Sequence, residues 1–503
     1  SPYLNGSLDK FFEFTLTPLL ETTRGCPFTC AFCADGKLSK SRITAFSPER
    51  VREELYYMAE RVKNSNEINV TDLNFGMYKR DEETARVTAE VQAKYGWPAL
   101  FKASAGKNLQ HRVINTASLL KGSWVIGSAI QSSDPEVLKN VKRANIKVDA
   151  YQSFLELMNS LDQNASTFSE IILGLPGDSM AKHLESLRYA VESGVNFVKQ
   201  YQAMLLLGTE MASPDTREKF GLVSKFRIMA DGIGTYTFGG DDIRVVEIQE
   251  IIVGSKDLTF EEYLFCRTTS LILEEYYNNA PFGEIFEALK EMGVSAFDFL
   301  LYLQEHEELH KPRIREIFEK FVKGGTSNLY DSHEIAESLA LSDEFFDQFV
   351  SGDIGFNEVL ECRADLYFEM EDTLSVLLDA LKEYLDSNGL LNVRVKDYFE
   401  QLGEFVLNKN RNIRDTDTIN EKFFNYDFES ISELGFRVDP RSVKRLNVPL
   451  KFRFYHDKKQ KKQIRQALDQ YENHPGGISR MLYVQNLKQM YRKFEKMSTA
   501  VVS

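Results

Sequence analysis

Three of the chain's five cysteines stand together in Thr22-Thr23-Arg24-Gly25-Cys26-Pro27-Phe28-Thr29-Cys30-Ala31-Phe32-Cys33, spaced C-x3-C-x2-C, while Cys266 and Cys362 are isolated. Three thiolates this close can face one point from a single loop, and thiolates are the usual protein ligands of iron–sulfur clusters. A cubane cluster has four irons, so three cysteines leave one iron open to a substrate or cofactor. The same residues also admit a zinc site, or clustering without chemistry. Structural zinc sites usually close with four Cys or His ligands, and the first histidine, His111, is far along the chain. The spacing therefore favours an open iron–sulfur cluster.

Such a loop needs a scaffold that brings other groups to it. From Phe14 to Met204 apolar or β-branched runs alternate with segments of helical periodicity. The predicted strands are Phe14–Thr23, Ile68–Asn74, Pro98–Ala103, Trp124–Ala129, Ser169–Leu173 and Asn196–Met204. The predicted helices are Pro48–Val62, Glu82–Tyr95, Gln110–Leu120, Val148–Leu161 and Met180–Glu192. This alternation predicts parallel β–α units. In α/β barrels the active site lies at the carboxyl ends of the strands. There the sequence places the cysteine loop, Asn74-Phe75-Gly76, Lys102 with Ser104, Gln131-Ser132-Ser133, Gly174-Leu175-Pro176-Gly177-Asp178, and Tyr201 with Gln202. Polar and glycine residues in phase with one cysteine loop are hard to read as turn chemistry alone.

The C-x3-C-x2-C pattern, with an aromatic before the third cysteine, resembles the signature of the radical S-adenosylmethionine (radical SAM) superfamily. Arg24-Gly25-Cys26-Pro27-Phe28, with Ser1-Pro2-Tyr3-Leu4 and Leu8-Asp9-Lys10-Phe11-Phe12, is similar to the branch whose members carry an amino-terminal cobalamin-binding domain. The resemblance implies an α/β fold. A linker over 1–13 would lead into a partial (β/α)6 TIM-like radical SAM barrel over 14–240. A mostly α-helical carboxy-terminal domain, lid or substrate-binding, would follow over 241–503.

It also implies roles. Cys26, Cys30 and Cys33 would hold a [4Fe-4S] cluster, and the amino and carboxylate groups of SAM would chelate the fourth iron. Asn74 and Gly76 stand where many members have a Gly-Gly-Glu turn for the SAM amino group, here without the acidic residue. Ser104 closes the third strand, Gln131 and Ser132 would reach the ribose, and Arg143 would pair with the SAM carboxylate through its planar fork. Gly174, Leu175 and Pro176 would pack on adenine, with Phe32 as a further wall. Tyr201, Gln202 and Glu210 are expected on the substrate side; no catalytic residue is assigned. Cobalamin is expected only through a domain outside this chain, which contains no Asp-x-His-x-x-Gly motif.

Beyond Phe238-Gly239-Gly240-Asp241-Asp242 the β–α rhythm stops. A strand over Ile243–Val253 is predicted, then helices at Phe260–Tyr277, Phe282–Met292, Ala296–Glu305, Ile314–Val322, Glu344–Val350, Asn357–Leu385 and Arg394–Leu407. A strand at Pro449–Tyr455 and a helix over Gly477–Lys496 close the chain. His306-Glu307-Glu308-Leu309-His310 matches the helical zinc-protease motif H-E-x-x-H. Its acidic flanks, Pro312 and the lack of an obvious third ligand weigh against it. A net charge of −14 disfavours a nucleic-acid footprint. The basic run from Lys458 to Arg465 reads as the solvated start of a helix. No run reaches the ~18–20 apolar residues of a membrane span. Clustered cysteines suit a reducing, cytoplasmic setting better than a disulfide framework.

The expected function is reductive cleavage of SAM to a 5′-deoxyadenosyl radical, acting on a small-molecule or peptide substrate, with methyl transfer as one outcome. An electron donor such as flavodoxin or ferredoxin is the expected partner. The alternatives are a non-catalytic iron–sulfur or zinc protein, and a zinc hydrolase built on His306, Glu307 and His310.

Overall fold

A computed structural model describes residues 1–143, 167–471 and 476–497. Its described part separates into two compact units, one of residues 1–224 with 251–260, the other of 225–250 with 261–503.

The first unit is built on β–α alternation. β1 (Leu19–Leu20), β2 (Thr23–Arg24) and β3 (Thr44–Ala45) precede α1 (Pro48–Arg61); β4 (Glu67–Phe75), α2 (Lys79–Tyr95), β5 (Leu100–Ala105), α3 (Gln110–Leu119), β6 (Trp124–Gln131) and α4 (Pro135–Asn140) follow. After the undescribed residues come β7 (Thr167–Leu173), α5 (Met180–Glu192) and β8 (Phe197–Gln202). β1, β4, β5, β6, β7 and β8 form one parallel sheet in that order. β1 and β8 are its two edges, so among the described residues the six strands do not close. This is the partial α/β barrel expected. Helix starts follow local chemistry. Ser47 accepts from Arg50 N before α1, Asp134 from Glu136 N and Val137 N before α4, and Ser179 from Lys182 N before α5. Pro48 and Pro135 occupy first positions, where a missing N–H costs nothing.

In β7 Thr167, Ser169, Ile171 and Leu173 are buried, while Phe168, Glu170 and Ile172 are only half-buried. The strand thus buries one face completely and turns half-buried side chains to the other. Phe75, at the end of β4, is wedged between Phe101 and Trp124, with ring centroids 5.2 Å apart in both pairs. These rings fix the end of β4 against its neighbours.

Several boundaries differ from the sequence reading. The strand expected over Phe14–Thr23 is two short pieces: β1 joins the main sheet, while β2 pairs antiparallel with β3. The helix expected over Val148–Leu161 lies outside the described residues. The boundary expected at 240 is the tip of a hairpin, β9 (Val223–Phe238) with β10 (Asp241–Gly254), because Gly239 and Gly240 both take positive φ. The end of β10 returns to the first unit, where Ile252 N donates to Ala203 O at 2.9 Å.

The second unit is mostly helical, with a three-stranded antiparallel sheet of Asn420–Phe424, Leu450–Tyr455 and Lys493–Lys496. The helix expected over Asn357–Leu385 is two, Glu358–Phe368 and Met370–Ser387, divided at Glu369. That expected over Gly477–Lys496 ends at Val484, and its remainder supplies the last strand. His306 caps the helix Ala296–Glu305, and Glu307–Leu309 forms a separate 3-10 turn. The two histidines of H-E-x-x-H therefore do not share a helix face. The His306 ring stacks on Tyr302 at 3.8 Å with Nδ1 2.8 Å from Tyr302 O, and His310 is buried 4.9 Å from the Phe318 ring.

Candidate functional site

The cysteine loop is held by backbone and by one carboxylate. Asp72, buried in β4, accepts from Thr22 N (2.7 Å) and Thr23 N (3.0 Å) through Oδ1. Its Oδ2 accepts from Thr23 Oγ1 (2.8 Å) and from Thr22 Oγ1. Gly25 follows at φ +104, where a Cβ would lie 2.4 Å from Arg42 O; the turn admits only glycine. Cys26 N then donates to Lys40 O at 3.0 Å. Ala31 N donates to Val141 O, and Met211 N donates to Ala31 O, each at 2.9 Å. The loop is thus tied to the turn after α4 and to the segment after β8.

Cys26 and Cys30 are buried and Cys33 half-buried; all three are free thiols. Donors point at two of them. Asn74 Nδ2 lies 3.4 Å from Cys26 Sγ, and Lys107 Nζ 3.4 Å from Cys30 Sγ. Arg143 also reaches Cys30, and its guanidinium donates to Ala129 O. It lies beyond α4 rather than on it. Burial pushes the Arg143 guanidinium and the Lys107 ammonium down from their ordinary values, and the nearby thiols oppose this. Among the described residues no three His, Cys, Asp or Glu side chains are gathered closely enough for one metal ion. A four-iron cluster asks for thiols spread more widely than a single ion does.

The other expected residues converge on this loop to different degrees. Asn74 ends β4 beside Cys26 with its Oδ1 buried and without a partner. Gly76, at φ +85, is pressed against Val113 and Trp124, where a Cβ would meet both at 3.1 Å. Gln131 takes φ +64 at the end of β6, next to a register shift between β6 and β7, and its buried Oε1 is also unpartnered. Bulges of this kind re-aim side chains beside sites. Ser132 is held from the α5 side: its Oγ lies 3.3 Å from Ser186 Oγ and accepts from Asp134 N at 3.1 Å. Gly174 takes φ +84 against Ile252, and Asn140 Nδ2 donates to Pro176 O at 3.1 Å. Leu175 shares a buried cluster with Ala31, Val137, Val141, Ala203 and Ile252, with Phe32 packed against it. Phe32 and the β7 turn therefore do meet. Ser104 is exposed on β5, Tyr201 is exposed, and Glu210 pairs with Lys142 at 2.6 Å.

Three residues escaped the sequence reading. Asp72 is a lone acid on the buried face of β4, a placement that by itself signals a bound partner. Lys107 follows Gly106 directly after β5. Glu170 breaks the apolar run of β7; burial raises its carboxyl, while Lys199, Arg143 and the Tyr201 hydroxyl oppose that rise.

Residues 20–190 match the Radical SAM superfamily. Over 235 residues the chain is 32% identical to the 2-(S-pantetheinyl)-carbapenam-3-carboxylate methyltransferase of Streptantibioticus cattleyicolor. Over the same length it is 29% identical to the cobalamin-dependent radical SAM methyltransferase TokK of Streptomyces tokunonensis. Each match covers 44% of this chain and 34% of the relative, so the chain spans about a third of those proteins. The solved structure of the radical SAM methyltransferase TsrM from Kitasatospora setae overlays with a TM-score of 0.40 at 12% identity, over 54% of this chain and 55% of that one. The stretch that matches the Radical SAM superfamily, residues 20–190, contains the cysteine loop, and the chain is similar over 235 residues to two methyltransferases, one of them a cobalamin-dependent radical SAM enzyme.

Proposed function

We propose that the chain binds an open [4Fe-4S] cluster through Cys26, Cys30 and Cys33, and that it is the catalytic part of a radical SAM methyltransferase. The observation that carries this is the pair of donors aimed at the thiol sulfurs, Asn74 on Cys26 and Lys107 on Cys30. Donors facing buried sulfurs suit thiolate ligands, which hydrogen bonds stabilise. When bound, the cluster supplies one electron to SAM, whose S–C5′ bond breaks to give methionine and a 5′-deoxyadenosyl radical.

The chain's own residues position the reactants. The buried Oδ1 of Asn74 is an acceptor in need of a donor, which an N–H of the SAM amino group provides. Gln131 Oε1 offers a second unpartnered acceptor for the ribose hydroxyls. The Gly174-Leu175-Pro176 turn and Phe32 give adenine an apolar seat. These contacts hold the reacting atoms in place, which is the protein's main share of such chemistry.

Methyl transfer to a small molecule, with cobalamin from a domain outside this chain, extends the reading and rests on the names of the relatives. An external one-electron donor such as flavodoxin or ferredoxin is then required. Zinc hydrolysis has no support, since His306 and His310 flank a single 3-10 turn rather than sharing the face of an α-helix.

The test is anaerobic reconstitution with iron and sulfide, addition of SAM and dithionite, and chromatography for 5′-deoxyadenosine. Product from the wild type and none from Cys30→Ala is expected. A well-reconstituted protein without product, or undiminished turnover in Cys30→Ala, overturns the proposal. Cobalamin and methyl-labelled SAM, added together, test the methyl-transfer extension.

A further inference from the structure

We propose that Lys107 is a positioning residue that sets the reduction potential of the cluster held by Cys26, Cys30 and Cys33, an inference that rests on the function proposed above. Its ammonium is aimed by rigid backbone. Gly106, immediately before it, donates its N–H to Phe75 O at 2.9 Å. A Cβ on Gly106 would lie 2.6 Å from Met77 Cβ, so the segment is pressed against the end of β4. On the other side Gln110 Nε2 donates to Lys107 O at 3.1 Å and to Gly106 O at 3.3 Å. From this base Lys107 Nζ reaches Cys30 Sγ at 3.4 Å and lies 4.9 Å from the centroid of the Phe28 ring.

The surroundings of Lys107 are unusual for a lysine. It is partly buried, and among the described residues no carboxylate pairs with it; its charged neighbours are Arg143, Cys30 and Cys26. A half-buried cation beside a second cation is costly unless an anion compensates it. Thiolates carrying a cluster supply that negative charge. An added electron makes the cluster more negative, so a cation hydrogen-bonded to one of its sulfurs favours the reduced state. Hydrogen bonds to sulfur and local charge are established determinants of cluster potential. Cys26, by contrast, receives the neutral amide of Asn74.

The experiment is a redox titration of the reconstituted full chain without SAM, followed by electron paramagnetic resonance, with iron and sulfide quantified. Wild type, Lys107→Met and Lys107→Arg are compared. Lys107→Met, at equal iron content, is expected to show an about tenfold smaller reduced-to-oxidised ratio at fixed poise, about 59 mV for one electron. Lys107→Arg keeps the charge and is expected to titrate close to wild type. If Lys107→Met loads poorly, Lys107→Gln is titrated in its place with the same shift expected. Coincident titrations of wild type and the neutral variants overturn the proposal, as does a loss of SAM affinity with unchanged potential, which would assign Lys107 to the SAM carboxylate. Loss of iron from all three variants also overturns it, since Lys107 would then assemble the cluster rather than tune it. A wild-type protein that takes up no cluster fails differently: it removes the proposed function itself.

Discussion

Replacing Asp72 by alanine is expected to loosen the start of the cysteine loop. The carboxylate accepts two backbone N–H groups and two hydroxyls from Thr22 and Thr23, all buried. The hydroxyls can rotate towards other acceptors, but the two amides cannot. A buried donor left without a partner costs about 1–3 kcal/mol, so Asp72→Ala is expected to cost about 2–6 kcal/mol. Asp72→Asn keeps one oxygen for the two amides and presents an NH2 to hydroxyls that can turn to accept. Counting the two amide bonds that cannot rearrange, exchanging charge-assisted for neutral bonds costs about 2 kcal/mol, because each neutral bond contributes about 1 kcal/mol less than one to a charged group. Urea unfolding of cluster-free protein measures both values, and hydrogen exchange at Thr22 and Thr23 locates the effect. An Asp72→Ala cost below about 0.5 kcal/mol, or an asparagine variant less stable than the alanine one, would refute the reasoning.

Other outcomes follow from the same geometry. Gly25→Ala places a Cβ 2.4 Å from Arg42 O at φ +104. It should abolish iron loading at Cys26 while leaving the helical unit's far-ultraviolet circular dichroism intact, which iron analysis and spectroscopy check together. Asp81, whose carboxyl receives Tyr78 N at 2.9 Å, is pushed up to about 7 by burial, with Asp72 adding to the rise. A raised carboxyl favours the folded state when protonated, so this contribution is full below about pH 4 and lost as pH rises through about 7. At about 1.4 kcal/mol per unit the loss is of order 4 kcal/mol. Asp81→Asn should therefore flatten the stability profile between pH 4 and 7, read by denaturation at each pH. Glu275, fully buried with its carboxyl raised by desolvation, has the same sign. Glu275→Gln should gain stability relative to wild type as pH rises from 4 to 8. His306→Ala, which removes only a stacking contact on Tyr302 and one backbone bond, should leave 5′-deoxyadenosine formation unchanged.

The repeated strand–helix rhythm was readable because buried parallel strands and amphipathic helices write different periods. Met180–Glu192 and Ala296–Glu305 occur with the bounds predicted. What escaped was set by long-range partners. The run at Phe14–Thr23 reads as one strand, but Asp72 grips Thr22 and Thr23, and the chain turns to pair with Thr44 and Ala45. The hairpin at Gly239-Gly240 looked like a boundary because glycine pairs mark both turns and linkers. In the site, cysteine spacing and strand-end glycines were visible locally. The targets of Lys107, after β5, and Arg143, after α4, were not, since a lysine or arginine in a loop has no sequence mark that tells a sulfur from solvent.

Ala31 has a consequence beyond holding the loop. Its N–H and carbonyl are both engaged, with Val141 O and Met211 N, so three loops from separate strands share one residue's backbone. The tie is indifferent to the side chain's chemistry yet closed to proline, which has no N–H to give. It also couples the loops kinetically. The two bonds are separate but converge on one buried residue, so the amides of Ala31 and Met211 are expected to exchange with solvent in one cooperative event. The rim then behaves as a single latch. A motion that moves one of these loops alone has to break a backbone bond at Ala31 first.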